Sequence, residues 1–431
     1  MKASIVSLAA ALTLGASPVL GAPSTTEQSD SITPITVKGN AFFKGDERFY
    51  IRGVDYQPGG SSKLTDPIAD VDGCKRDIKK FTDLGLNTVR VYSVDNSQDH
   101  DECMQALADA GIYLVLDVNT PKYAINRASP EKSYNDVYLQ YIFATVEMFA
   151  KYDNTLAFFS GNEVVNDGAS SSAAPYVKAV TRDIRSFLRA RKLRHVPVGY
   201  SAADIDTNRL EMAEYMNCGT DDERSDFFAF NDYSWCDPSS FTVSGWDQKF
   251  EEVSSLYSTD MTGVYSGGLV YEYAEGGNKY GLVKIDGDNV KELPDYTALK
   301  TAFSKTANPK GDGDYNSTGG ANGCPAKNAP NWNVDSDALP AMPAPAKKYL
   351  TEGAGKGTGF EGSGSMDAGT ESTTTATPGS GSVSASTSSS TSTSSKGAAA
   401  GLQPPHLAMA PVAVGLVTAI SALFGASIVL L

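Results

Sequence analysis

The residues most able to do chemistry are a carboxamide and a carboxylate at the end of an apolar segment. The run LAFFSGNEV, residues 156–164, reads as a buried strand that ends on Asn162 and Glu163. A strand that is apolar along its whole length is typical of a parallel sheet covered on both faces. In barrel enzymes the carboxyl ends of such strands carry the catalytic side chains. Glu163 is therefore a candidate general acid, and the alternative is a strand-end glutamate that only caps the next turn.

Alternating helices and strands must position this pair. Residues 72–84 place apolar side chains on one helical face before Gly85, and residues 103–110 repeat the pattern before Gly111. Strand-like runs begin near residues 49, 87, 113, 156, 196, 227 and 268. This order predicts an α/β fold of the (β/α)8 TIM-barrel type, which needs eight strands. The missing unit is expected to be the seventh, since residues 246–261 read as one polar-faced helix.

The chain divides into four parts by composition. Residues 1–22 have the charged, apolar and small-residue regions of a secretory signal peptide. The apolar and aromatic residues of a core lie in 31–307, which is long enough for one barrel domain. Residues 308–396 are rich in Gly, Ser and Thr and predict a linker and a disordered stalk. Residues 397–431 are typical of a GPI-attachment signal with Gly397 at the attachment site, and a transmembrane helix is the alternative.

Charge and cysteine content limit the partners. The formal net charge of −15 disfavours nucleic acid and is compatible with a neutral polysaccharide. No metal or cofactor is expected, because the five cysteines form no C-x-x-C pair and the chain has only three histidines. Five is an odd number of cysteines for a secreted chain, so one lacks a partner. The glycosylation sequon at Asn316 suits an extracellular surface.

Five ordered motifs carry a resemblance to a known family. They are GVDYQPGG, NTVRVY, GNE, YSWC and SGGLVYEY, spread over about residues 35–305. The chain resembles the fungal, GPI-anchored β-1,3-glucanosyltransferases of glycoside hydrolase family 72, in the short form without a cysteine-rich carbohydrate-binding module. The resemblance implies a retaining enzyme that cuts one β-1,3-glucan chain and rejoins it to another. It also implies an extracellular protein on the outer leaflet of the plasma membrane and in the cell wall, and a monomer is expected.

The resemblance further assigns roles to single residues. Glu163 is implied to be the acid/base. The tyrosines near the strand ends are expected to stack on sugar rings, against the alternative that they are half-buried packing residues. The implied disulfides are Cys74–Cys103 and Cys218–Cys324. The implied substrate-binding residues are Tyr56, Gln57, Tyr92, Asp117, Asn162, Tyr233 and Tyr273.

The nucleophile of the family is missing from this chain. In the family it lies in a strand that reads approximately F-x-S-E-Y-G-C-N, between YSWC and SGGLVYEY, whereas here the sequence runs directly from Lys249 to Phe250. The same loss would leave Cys236 without its implied partner. Glu272 ends a strand and is only a weak substitute. Two interpretations stay open: a glucanosyltransferase whose sequence lacks one segment, and a catalytically inactive β-glucan-binding or structural wall protein.

Overall fold

The computed structural model describes most of the region predicted to be globular. The described residues are 32–60, 64–232, 250, 252–277, 279–335 and 337–376, together with the backbone of 427–430. The sites of some predictions lie outside them, namely the signal peptide (1–22), Tyr233, Cys236 and Gly397.

The strands form a barrel and two small antiparallel sheets. In chain order they are β1 (Ile35–Lys38), β2 (Ala41–Lys44), β3 (Glu47–Arg48), β4 (Ile51–Asp55), β5 (Thr88–Val91), β6 (Tyr113–Asp117), β7 (Thr155–Asn162), β8 (Val198–Ala202), β9 (Phe227–Asp232), β10 (Gly267–Tyr271), β11 (Val283–Asp286), β12 (Asn289–Glu292) and β13 (Ser427–Leu430). The barrel is closed in the order β4, β5, β6, β7, β8, β9, β13 and β10. Strands β4 to β9 pair in parallel, as do β10 and β4. The predicted barrel is confirmed, and its parallel strands lie where the sequence places them.

Side chains alternate between the barrel interior and the layer of helices. On β4, Ile51 belongs to the interior cluster, whereas Val54 packs in the outer core. The sheet of β1, β2 and β3 covers the amino end of the barrel, where the Phe49 ring lies 5.2 Å from that of Tyr113. The carboxyl end is therefore the mouth at which a site can form.

The helices surround this barrel. They are α1 (Val71–Leu84), α2 (Asp101–Asp109), α3 (Pro130–Ser133), α4 (Asp136–Phe149), α5 (Ala174–Ala190), α6 (Arg209–Asn217), α7 (Glu252–Leu256), α8 (Thr259–Thr262), α9 (Pro294–Lys305) and α10 (Tyr349–Glu352), with 3-10 helices at Ser170–Ala173 and Ala344–Lys348. Helix α1 begins where the Asp70 carboxylate accepts a hydrogen bond from Gly73 N. It ends at Gly85, whose φ of 74° lies in the left-handed region that favours glycine. The single helix predicted over 246–261 is wrong in its described part, which forms α7 and α8 separated by a turn.

A strand from the chain terminus fills the barrel position between β9 and β10. Strand β13 is antiparallel to both neighbours, and Val429 is paired with Asn231 on one side and with Leu269 on the other. This is the position where the sequence predicts a missing parallel strand. Strand β13 belongs to the C-terminal tail (397–431), which is predicted to be removed. Removal of the tail would therefore leave the edges of β9 and β10 unpaired.

The region after α9 differs from the predicted linker. Its described residues, 308–335 and 337–376, lie against the barrel and form what we call the C-terminal segment. Trp332 is fully buried with its ring 5.4 Å from that of Tyr215, and Met342 is also buried. A few buried apolar side chains hold this stretch, which is rich in Gly, Ser and Thr, against the barrel. The average composition of the stretch does not reveal them. The predicted domain boundary at residue 307 is thus too early.

Two disulfide bonds are present. Cys74–Cys103 links α1 to α2, and Cys218–Cys324 links the end of α6 to the C-terminal segment. They are the pairs that the resemblance implies. Among the helices that the structure describes, none is both long and apolar enough to cross a bilayer.

Candidate active site

A buried arginine organises the mouth of the barrel. Arg90 lies near the end of β5, with its Nε 2.7 Å from Asp117 Oδ2 and its Nη2 3.1 Å from Asp117 Oδ1. Both side chains are buried, and a two-point contact of this kind holds the guanidinium in one orientation. Burial raises the pKa of the Asp117 carboxyl, and Arg90 opposes that rise. Asp117, which the resemblance assigns to substrate binding, is therefore engaged by Arg90 and orients it.

Glu163 is held at this mouth by its backbone and its side chain. It directly follows β7 and has a φ of 49°, a conformation that is uncommon for a residue other than glycine. Its N–H donates to Ser201 O at 2.8 Å, and Arg127 Nη2 donates to its carbonyl oxygen at 2.7 Å. The amide nitrogen of Asn231 donates to Glu163 Oε1. The candidate acid is thus fixed by neighbours from β8 and β9.

Asn162 and Asn231 connect Glu163 to Arg90. Asn162 Oδ1 accepts hydrogen bonds from Arg90 Nη2 at 3.0 Å and from Asn231 Nδ2 at 3.2 Å. Ser201 Oγ donates to Asn231 Oδ1 at 2.9 Å, which sets the orientation of the Asn231 amide. The orientation of the Asn162 amide is fixed as well, because its oxygen faces the two donors. The structure brings Glu163, Asn162 and Asp117 together, as the sequence analysis predicted for one site.

Asn231 was missed by the sequence analysis. It lies near the end of β9, in the run FFAFND. In this run Ala229 belongs to the interior cluster and Phe227 packs against it, so every second residue faces the barrel interior. Residue 231 continues the same period of two and faces the same side.

Tyr92 and Gln57 form the neighbouring wall. The Tyr92 hydroxyl donates to Asp55 Oδ2 at 2.7 Å, and the Arg90 guanidinium lies over the Tyr92 ring, 4.3 Å from its centroid. Gln57 Oε1 accepts from the Tyr92 N–H at 3.3 Å, and Gln57 Nε2 donates to Thr65 O at 2.9 Å. Gln57 is buried, while Tyr92 is half-buried and reaches the mouth. Both predicted residues are therefore part of the candidate site, with Asp55 beneath them.

The side chains of Tyr56 and Tyr273 pack in the core next to this site. Both are buried, and their rings pack edge to face with that of Phe81 in the layer between barrel and helices. Their hydroxyls donate to the two oxygens of Asp77, each at 2.9 Å. That they bind sugar stays a prediction; the burial of both rings weighs against it, although Tyr56 also lines the cavity described below. Tyr56 follows Asp55 and so faces the opposite side of the strand. Tyr273 lies beyond Tyr271, the last residue of β10, and its ring turns to Phe81.

The end of β10 carries a tyrosine that the sequence analysis did not select. Tyr271 is half-buried and two residues from Leu269, which belongs to the interior cluster. Its ring lies 5.9 Å from that of Tyr280. Tyr271 is the last residue of β10, whereas Tyr273 lies beyond the strand and belongs to the core cluster outside the barrel. Glu272 is buried, and its backbone N–H donates to Tyr280 O at 3.3 Å.

A cavity of about 480 Å³ lies among the loops after β4 and β5. Its lining includes Tyr56, Asp66, Arg76 and Gln98, and Phe360 from the C-terminal segment. Lys122 Nζ donates to Phe360 O at 2.6 Å and ties that segment to the loop after β6. The C-terminal segment therefore contributes to the shape of the mouth. Within the part of the chain that the structure describes, no cluster of three His, Cys, Asp or Glu residues could hold a metal ion.

Comparisons with known proteins agree with this geometry. A family model described as glucanosyltransferase (Glyco_hydro_72) matches residues 24–251 and 247–307. The 1,3-beta-glucanosyltransferase gel1 of Aspergillus fumigatus is 76% identical over 455 residues, with 100% of both chains covered. The 1,3-beta-glucanosyltransferase GAS5 of Saccharomyces cerevisiae is 52% identical, over 77% of this chain and 75% of that protein. A solved structure of Saccharomyces cerevisiae Gas2p in complex with laminaritriose and laminaritetraose matches with a TM-score of 0.66 and 34% identity, over 73% of this chain and 78% of that one.

The same comparisons bear on the missing segment. The alignment with gel1 spans 455 positions and this chain has 431 residues, so at least 24 aligned positions have no residue here. The two stretches matched by the family model meet at residues 247–251. That junction is where the order of motifs places the absent nucleophile.

Proposed function

This chain belongs to the glucanosyltransferase family, glycoside hydrolase family 72, and we propose that it is a 1,3-beta-glucanosyltransferase that works by a retaining mechanism. The observation that carries the proposal is Glu163, fixed at the barrel mouth by Asn231 and beside Asn162. Glu163 protonates the glycosidic oxygen as the cleaved part of the donor glucan leaves. It then removes the proton from a hydroxyl of the acceptor glucan, which takes the place of water.

The nucleophile of this reaction is supplied by the segment that is absent between Lys249 and Phe250. A retaining enzyme needs a second carboxylate about 5–5.5 Å from the first, which forms the covalent glycosyl intermediate. Two observations support a missing strand at this point: the overlap of the two family matches at residues 247–251, and antiparallel β13 between β9 and β10. The 24 or more unmatched positions against gel1 leave room for such a segment.

The binding site for the glucan is formed by Asn162, Tyr92 and Gln57, with Asp117 holding Arg90 in place. The Asn162 amide nitrogen donates to the sugar 2-hydroxyl, since its oxygen already accepts from Arg90 and Asn231. The half-buried Tyr92 ring offers an apolar face to a pyranose ring. Both donor and acceptor are β-1,3-glucan chains, and the enzyme acts as a monomer.

The test compares the chain as given with a chain in which a segment of the missing length restores an apolar strand ending in Ser-Glu-Tyr-Gly-Cys. We expect the restored protein to convert laminari-oligosaccharides into longer ones, observed by chromatography and mass spectrometry, and the chain as given to bind them without transfer. Glu163→Gln in the restored protein should abolish lengthening. Transfer by the chain as given would refute the account of the nucleophile. Binding without transfer by both proteins would instead indicate an inactive glucan-binding wall protein.

We further propose that the protein is located at the cell surface. Residues 1–22 direct secretion, and the C-terminal tail is exchanged near Gly397 for a GPI lipid in the outer leaflet of the plasma membrane. Asn316 is exposed and carries an N-linked glycan. Release of the protein from intact cells by a phosphatidylinositol-specific phospholipase would support the anchor. Detection of the tail peptide in the mature protein would refute it.

A further inference from the structure

Asp55 is a buried carboxylate at the mouth to which the proposed reaction gives no role. It ends β4 and is wholly buried. Its Oδ2 accepts a hydrogen bond from the Tyr92 hydroxyl at 2.7 Å, while its Oδ1 has no hydrogen-bond partner among the described residues. Burying a carboxylate costs free energy unless hydrogen bonds or an opposite charge stabilise its ionised form.

The contacts of Tyr92 show what that charge does. One side of the ring is covered by the Arg90 guanidinium, 4.3 Å from the ring centroid. Its backbone N–H is bound by Gln57, and its hydroxyl is bound by Asp55. The ring is thus fixed at its base, at one side and at its tip, and the residue as a whole is half-buried. Arg90 also donates to Asn162, so the ring and the polar group around Glu163 share one support.

We propose that Asp55 is a positioning residue that fixes the Tyr92 ring for sugar binding, so that its loss of charge in acid weakens the binding of β-1,3-glucan. Only the identity of the ligand rests on the proposed function. Asp55 itself touches no reacting atom.

The electrostatic surroundings give the pH at which this occurs. Burial raises the pKa of Asp55 to about 6, although Arg90 and the hydrogen bond from Tyr92 lower it, and Asp117 adds to the rise. At pH 7.5 the carboxylate is ionised and accepts a charge-assisted hydrogen bond, which is about twice as strong as the bond to a neutral carboxyl. Protonation on going to pH 5 therefore loosens the Tyr92 ring.

Strand β10 is the other neighbour of β4 and must be considered as well. It brings Tyr271 and Glu272 to the same edge of the barrel. A pH dependence of glucan binding that comes from Glu272 survives when Asp55 is replaced. The variants below therefore separate the effects of the two carboxylates.

The experiment measures the dissociation constant of laminaritetraose by calorimetry on the full chain between pH 7.5 and pH 5. We expect the constant to rise about fivefold in the unmodified protein as the pH falls through 6. In Asp55→Asn it should stay near the weak, low-pH value throughout. Tyr92→Phe lacks the hydroxyl and should be equally insensitive to pH. The two substitutions together should weaken binding no more than either alone, because both break the same hydrogen bond.

Asp183 provides a matched control. It is also a buried aspartate that accepts a hydrogen bond from a tyrosine, Tyr134, and pairs with an arginine, Arg182, but it lies on α5 away from the mouth. Asp183→Asn should keep the pH response of the unmodified protein.

The outcomes separate the two proposals. Absence of laminaritetraose binding at every pH would overturn the proposed function and this inference together. Binding that is independent of pH, or a full pH response retained by Asp55→Asn, would overturn the inference alone. If Asp55→Asn does not fold, as judged by circular dichroism, Tyr92→Phe decides the question by itself.

Discussion

Replacing Tyr56 or Tyr273 by phenylalanine should lower stability and leave glucan binding unchanged. Asp77 is fully buried and accepts hydrogen bonds from both hydroxyls at 2.9 Å, and from Arg76 Nε and Nη2 at 3.0 and 2.8 Å. Each substitution removes one bond to a buried charge, which is worth about 1.5–3 kcal/mol. The phenylalanine ring keeps its contact with Phe81, so no cavity of side-chain size forms.

The expected loss of about 2 kcal/mol per substitution corresponds to a fall in melting temperature of about 3 °C for a domain that spans residues 32–376, since the unfolding entropy is about 2.1 cal/mol/K per residue. Thermal unfolding measures the first effect, and calorimetry with laminaritetraose measures the second, for which we expect a change of less than about twofold. Tyr92→Phe serves as the comparison in binding, because that residue reaches the mouth.

Tyr296→Phe is the control for stability. Tyr296 also donates to an aspartate, Asp83, at 2.7 Å, but the Asp83 side chain is 42% exposed. Water can replace the lost hydroxyl there, so the loss should stay below about 1 kcal/mol. A Tyr273→Phe protein that melts normally and binds laminaritetraose ten times more weakly would show that Tyr273 belongs to the sugar site.

Three further predictions concern the acid, the cysteines and the chain terminus. Asn231→Asp places a second carboxylate against the candidate acid/base and should lower transfer by the restored protein at least about tenfold; unchanged product formation would contradict the role of this contact. Dithiothreitol should reduce Cys218–Cys324 before the disulfide between α1 and α2, as followed by alkylation and mass spectrometry. Cys324 is half-buried and open to attack, and Lys178 Nζ lies 3.2 Å from the leaving Cys218 sulfur, whereas both cysteines of the other bond are fully buried. Removal of the C-terminal tail should destabilise the chain as given, because β13 is lost, but not the restored protein; equal denaturation midpoints for both would contradict the missing-strand account.

Local patterns in the sequence determined the framework of this protein. Apolar runs and the helix–glycine–strand repeats located the parallel strands, because hydrophobic periodicity and a left-handed cap such as Gly85 depend on neighbours a few residues away. The order of motifs identified the family, and it predicted Glu163 as the acid and the place of the missing segment. All of these follow from the order and spacing of residues along the chain.

Only the tertiary structure decided which side chains meet. Asn231 and Glu163 are 68 residues apart and touch because β7 and β9 end at the same edge of the barrel. The Asp55 side chain meets Tyr92 and that of the adjacent Tyr56 packs on Phe81, since a shift of one residue along a strand reverses the direction of the side chain. Phe360 reaches the cavity from a segment whose average composition predicts a linker. The physical reason is common to these cases: secondary structure follows from short-range preferences, whereas a site depends on strand register and on contacts between distant parts of the chain, which exist only once the barrel has closed.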